Sequence, residues 1–124
     1  PQGYGGGVGL RGSAKKTQSS AFFLRAELNK SEVFKGEQVI VSYYLYKRSR
    51  VFNVSPRKYP ELKSFLKENI SVNKVLQQTV TLDGVPYQKQ LLWRYAIYPL
   101  KSGNLKIDSM EIQANYYAED QSRN

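Results

Sequence analysis

The dipeptide Asp83-Gly84 constrains this chain more than any other feature. It lies between two short runs, Thr79-Val80-Thr81-Leu82 and Val85-Pro86-Tyr87. A two-residue hairpin turn needs positive φ at both central positions, which Asp-Gly adopts at low cost, so the pair predicts two antiparallel strands. The second strand then continues through Trp93-Arg94-Tyr95-Ala96-Ile97-Tyr98. Lys101-Ser102-Gly103-Asn104 repeats the turn chemistry one strand later, ahead of Leu105-Lys106-Ile107. The last third of the chain therefore reads as an antiparallel β-module.

Alternation extends the pattern upstream. Phe22, Leu24, Ala26 and Leu28 form one face of a strand, with Phe23, Arg25, Glu27 and Asn29 on the other. Val39, Val41, Tyr43 and Leu45 point one way from a second strand, and Val51 to Val54 fits a short third. Val72, Val75, Leu76, Val80 and Leu82 are candidate core residues, and Leu91, Trp93, Tyr95 and Ile97 share a face of the longest strand. Leu105, Ile107, Met110, Ile112 and Ala114 complete the pattern in one final strand, with a bulge expected at Asp108-Ser109. The interruption is Pro56 to Glu68. There Pro60 suits a first helical position, Glu61 the positive end of the helix dipole, and Leu62, Phe65 and Leu66 follow helical spacing. The expected fold is all-β, an immunoglobulin-like β-sandwich of about seven strands over residues 21–117, with one short helix near residues 60–67.

Six of the nine glycines fall within residues 1–12, and Ser13 to Ser20 continues polar and basic. Such a segment buries too little apolar surface to offset its ordering entropy, so residues 1–20 are expected to be a flexible Gly/Ser-rich linker. It is no phosphate-binding loop, because Gly12 is followed by Ser13 rather than Lys. Residues 118–124 read as a polar tail. The chain opens at Pro1 without the pattern of a signal peptide, which suggests a fragment of a longer protein. No apolar run approaches the roughly 18 residues that would span a bilayer, so this fragment is not expected to insert in a membrane.

Composition argues against the common catalytic chemistries. With neither histidine nor cysteine, the usual general base, zinc ligand and thiolate nucleophile are all missing. The acidic residues are scattered and no spacing pairs them for acid–base work. The chain is therefore expected to be no enzyme, with no catalytic residues, no metal and no cofactor. Its net charge of +9 points instead to anionic partners or plain solubility.

One stretch carries a bias. Lys47 to Lys67 holds seven basic residues (Lys47, Arg48, Arg50, Arg57, Lys58, Lys63 and Lys67) against one acid, Glu61, with Phe52, Tyr59 and Phe65 interleaved. Three readings stand: a solvated loop whose phenylalanines serve the core, a surface for an acidic protein, or a single-strand nucleic-acid site. No nucleic-acid motif accompanies the charge, so nucleic acid is not expected as a partner. The candidate protein-binding residues are Lys47, Arg48, Arg50, Arg57, Lys58 and Tyr59. Tyr44 and Tyr46, if exposed, would add anchors of a kind enriched at interfaces. A sugar-binding sandwich is the alternative and would use Trp93 or exposed tyrosines as a stacking platform. Trp93 decides much of this, and its strand face predicts that it is largely buried.

The segments Phe22-Phe23-Leu24-Arg25-Ala26, Ser31-Glu32-Val33-Phe34-Lys35-Gly36-Glu37-Gln38-Val39, Tyr44-Leu45-Tyr46 and Tyr59-Pro60-Glu61-Leu62-Lys63-Ser64-Phe65 resemble an immunoglobulin-like domain of the BatD oxygen-tolerance family. So does Arg94-Tyr95-Ala96-Ile97-Tyr98-Pro99-Leu100-Lys101-Ser102-Gly103-Asn104-Leu105-Lys106-Ile107. The resemblance covers residues 21–116, and the linker before it fits the second such domain of a BatD protein. It implies a membrane-anchored parent with this domain on the periplasmic side of a bacterial envelope, linked to aerotolerance and stress resistance. It further implies a non-enzymatic interaction module. The partners it suggests are envelope proteins, among them von Willebrand factor A-type proteins encoded nearby.

Overall fold

Alternating side chains decide where each strand lands. The computed structural model describes residues 7–11, 14–16, 21–72 and 77–116. Among these there are eleven strands and no helix. In chain order they are β1 (Gly7–Arg11), β2 (Ala14–Lys16), β3 (Phe22–Leu28), β4 (Glu32–Phe34), β5 (Val39–Lys47), β6 (Val51–Lys58), β7 (Phe65–Ile70), β8 (Gln77–Leu82), β9 (Val85–Pro99), β10 (Gly103–Lys106) and β11 (Glu111–Tyr116).

The largest sheet runs β2-β3-β5-β9-β7, with β8 also on β9. Its organiser is β9, whose 15 residues pair with β5 on one edge. The other edge carries two strands in line, β8 beside residues 85–90 and β7 beside residues 94–99. A three-stranded sheet, β10-β1-β4, and a two-stranded sheet, β11-β6, complete the sandwich. Its core is one cluster. Val39, Val41, Tyr43 and Leu45 of β5 are buried at its centre, with Phe22, Leu24 and Ala26 of β3 and Tyr95 and Ile97 of β9. Val8, Leu10, Val33, Leu105, Ile107 and Met110 close it from the smaller sheet and its connections.

The all-β sandwich therefore stands, and so do the alternating faces of β3 and β5. The Asp83-Gly84 turn is as expected: φ is 51° at Asp83 and 79° at Gly84, both left-handed, as the hairpin requires.

Five local expectations are corrected. The short helix near residues 60–67 is absent. Leu62 has φ of 50°, a left-handed conformation that a right-handed helix cannot propagate through, and Phe65 N–H closes a turn onto Leu62 O at 3.0 Å. From Phe65 the chain pairs with β9 instead. Of the helical trio, Leu62 and Phe65 are buried but Leu66 is 58% exposed, as a strand places successive side chains.

The linker expected over residues 1–20 does not hold at residues 7–11 and 14–16, which are strands β1 and β2. Val8 and Leu10, spaced by two, supply core contacts that the glycine count obscured; the rest of that segment lies outside the described residues, as does the tail at 118–124.

Asp108-Ser109 is no bulge in one strand. It lies in the crossing from β10 to β11, which belong to different sheets. The expected common face of Leu91 and Trp93 is broken too. Tyr43 faces Trp93 but Tyr44 faces Leu91, so Leu92 is an extra residue and the bulge turns Leu91 to the other side of the sheet. Of the candidate core residues around β8, Val72, Val80 and Leu82 are only half-buried, and Val75 and Leu76 lie outside the described residues.

Candidate interaction surface

The basic stretch is not a projecting loop. Its first half is β6, which hydrogen-bonds only to β11 among the described strands. Val51 and Val54 turn toward the core while Arg50, Asn53, Ser55, Pro56, Arg57 and Lys58 are exposed. An open strand edge invites pairing with other chains. Here Pro56 lacks the N–H such pairing needs, and φ of 55° at Asn53 with the nearby shifts in register breaks the edge.

The six candidate residues are not gathered into one cluster. Lys47, at the end of β5, donates from Nζ to Gln90 Oε1 at 2.9 Å, and burial lowers its pKa. Arg48 is exposed in the turn that follows, its N–H held by Ala21 O at 2.8 Å. Arg50 and Arg57 stand at opposite ends of β6, about 23 Å apart at ~3.3 Å per residue. Lys58 is opposite Glu111 across the two-stranded sheet. It also borders a cleft of 150 Å³ whose lining includes Glu61, Asp108 and Glu111, so the positive potential there is partly cancelled. Tyr59 is 50% exposed and sits edge to face on Trp93, with ring centroids 5.7 Å apart. Trp93 is therefore half-buried between Tyr59 and the core rather than an open stacking platform.

At the Arg48 end two arginines meet one carboxylate, Asp83. Arg48 lines a pocket of 280 Å³ with Arg25, Phe22, Phe23, Tyr87 and the Asp83 turn. The pocket adjoins an aromatic–cation cluster on the outer face of the large sheet. Phe23 stacks on Tyr46 at 4.8 Å and meets Tyr87 edge to face at 5.3 Å. The Arg25 guanidinium lies 4.9 Å from the Tyr46 ring centre, and Lys89 Nζ lies 4.2 Å from that of Tyr44. Glu27 accepts hydrogen bonds from Tyr46 Oη and from Lys89 Nζ at 3.0 Å. Burial and the Glu27 carboxylate raise the Tyr46 pKa. Burial alone would lower that of Lys89, but Glu27 and Tyr46 outweigh it and the pKa is raised.

Tyr46 is thus 2% exposed, and Tyr44 is half-buried; neither offers the open ring expected of it. The sequence signal for this cluster was Phe23-Arg25-Glu27 on the polar face of β3. Only the pairing Phe23↔Tyr46 and Arg25↔Tyr44, with Tyr46↔Lys89, shows that its rings and charges meet. Among the described residues no three metal-ligating side chains come together, and no helix is long and apolar enough to cross a membrane.

A family model described as the BatD DUF11-like domain matches residues 26–124. Neither the curated proteins nor the solved structures give a match to the chain.

Proposed function

Since this chain belongs to the BatD family, we propose that it is a non-enzymatic interaction module of a BatD-type envelope protein and docks an acidic protein surface. The carrying observation is the joint position, on one pocket, of Arg48 in the turn between β5 and β6 and Arg25 on β3. Arginine forks suit carboxylates, and the aromatic walls shield the contact from water. Docking uses side chains rather than strand addition, because Pro56 and the break at Asn53 spoil the β6 edge. In this reading the parent is membrane-anchored, the domain lies on the periplasmic side, and the partner is an envelope protein such as a von Willebrand factor A-type protein encoded nearby. A role of the parent in oxygen tolerance then follows from assembly rather than from catalysis here.

The test is binding of such a purified von Willebrand factor A-type domain to the intact chain and to a variant with Arg48, Arg50 and Arg57 changed to Glu. These exposed charges contribute little to stability, so circular dichroism should be unchanged. Association should slow in the variant, most strongly at low salt. Equal association rates for both proteins would remove the basic strand from the interface. Capture that disappears after nuclease treatment would move the partner from protein to nucleic acid.

A further inference from the structure

Among the described residues the three most exposed large apolar side chains are Phe34 at 65%, Leu66 at 58% and Leu100 at 56%. All three lie at one end of the sandwich. Phe34 opens the turn from β4 toward β5, which Glu37 N–H closes onto Phe34 O at 2.9 Å. Leu100 opens the turn from β9 to β10. Backbone bonds join these segments. Gly36 N–H donates to Pro99 O at 3.0 Å, and Leu100 N–H donates to Ser64 O at 2.9 Å, two residues before Leu66 on β7. Apolar residues exposed singly are ordinary, but three on adjoining backbone form a patch that points to a partner.

The charges at this end are ordered too. A lysine follows the apolar residue in each turn, as Phe34-Lys35 and Leu100-Lys101. Both lysines are exposed, and neither pairs with a carboxylate among the described residues. The carboxylates of the neighbouring turns are engaged. Glu37 accepts from Lys30 Nζ and from Phe34 N–H, each at 2.9 Å, and Glu61 pairs with Lys63 at 3.5 Å. The turns are already closed by their own hydrogen bonds, so little ordering cost falls on contact.

We propose that this end is a membrane-surface contact, in which Phe34 and Leu100 enter the headgroup boundary of an anionic phospholipid bilayer and Lys35 and Lys101 meet the lipid phosphates. Charge complementarity selects this occupant. A lysine lays its stem along apolar surface and keeps its ammonium in the polar layer, so an apolar residue followed by lysine fits the boundary between acyl chains and headgroups. An apolar protein face would need carboxylates placed opposite both lysines, whereas an anionic leaflet offers negative charge above apolar depth everywhere. So few side chains make a shallow, reversible contact. The contact also sets an orientation. Phe34 and Lys35 precede the start of β5 and Arg48 follows its end, so the pocket shared by Arg48 and Arg25 is left facing away from the bilayer. The contact does not depend on the docking proposed for that pocket.

Cosedimentation with vesicles tests it. The chain should bind vesicles of equal parts phosphatidylcholine and phosphatidylglycerol, leave pure phosphatidylcholine vesicles unbound, and bind less as salt is added. Phe34→Ser combined with Leu100→Ser should weaken binding about ten-fold. Lys35→Glu combined with Lys101→Glu should weaken it by at least about ten-fold. All four sites are exposed, so circular dichroism should not change. Arg48→Glu combined with Arg50→Glu removes the same net charge beyond the other end of β5 and is the control. It should keep most of the vesicle binding and bear only on the docking proposed there. Equal losses in the two charge variants would overturn the contact, because net charge alone would then be read. Binding undiminished by the two serines would overturn it as well. So would failure to bind anionic vesicles together with self-association that the serines abolish, which would give the patch to a second copy of the chain.

Discussion

The hydroxyl of Tyr43 donates a hydrogen bond to the backbone carbonyl of Asp108 at 2.7 Å. This one contact joins the central strand of the large sheet to the crossing between β10 and β11. The Asp108 side chain completes the joint by accepting from Leu62 N–H through Oδ2 at 2.9 Å. Three segments far apart in sequence are thus locked at one partly buried point beside the core.

Tyr43→Phe keeps the packing but leaves the Asp108 carbonyl without this donor. The expected loss is about 1 kcal/mol, the net contribution of an ordinary hydrogen bond, since the acceptor is only partly buried. Urea unfolding measures it; an unchanged midpoint means that water replaces the hydroxyl.

Gly84→Val should cost roughly 1–2 kcal/mol, because a β-branched residue resists the left-handed conformation that Gly84 adopts at φ of 79°. The space around Gly84 is open, with no atom within 4 Å of an added Cβ, so backbone strain alone is tested. Gly84→Asn, which tolerates positive φ, should recover most of the loss.

Stability should fall as pH rises past about 10, the ordinary tyrosine pKa. Burial raises the pKa of Tyr43, Tyr46 and Tyr95 in the folded chain. Above that pH the unfolded chain has released protons that the folded chain retains, so the unfolding free energy decreases with pH. The raised Lys89 acts in the same direction and the lowered Lys47 opposes it. Urea midpoints across the alkaline range give the slope, and Tyr46→Phe should flatten it. A slope of the opposite sign would show that these phenols ionise more readily in the folded chain.

Leu10→Asp should destabilise the fold by more than ~2 kcal/mol, as it places a carboxylate where an apolar side chain is buried. The Leu10 amide, bonded to Ser31 O, should exchange slowly with solvent. Rapid exchange at Leu10 would mean that β1 leaves its groove readily.

Much of the sandwich could be read from local chemistry. The Asp83-Gly84 turn needed only its two residues. The core faces of β3 and β5 needed only period-two alternation, which a sheet with one buried face enforces. The basic bias of residues 47–67 was equally plain, but its shape was not. Helical spacing at Leu62, Phe65 and Leu66 lost to the ladder that Phe65–Ile70 forms with β9, a non-local gain that no window around residue 65 contains.

The sequence by itself determined the class of the fold, its best turn and the sign of its surface, because each depends on a residue and its near neighbours. Tertiary structure alone decided that glycine-rich residues 7–11 complete a sheet, since their partners lie at 32–34 and 103–106. It also decided that Arg48 and Arg25 share one pocket, and that Tyr46 is closed over by Glu27, Arg25 and Lys89. Those outcomes depend on strand register and on the extra residue at Leu92, which reassigns faces along β9. Register is fixed by all the paired strands together, so it cannot be read from any one of them.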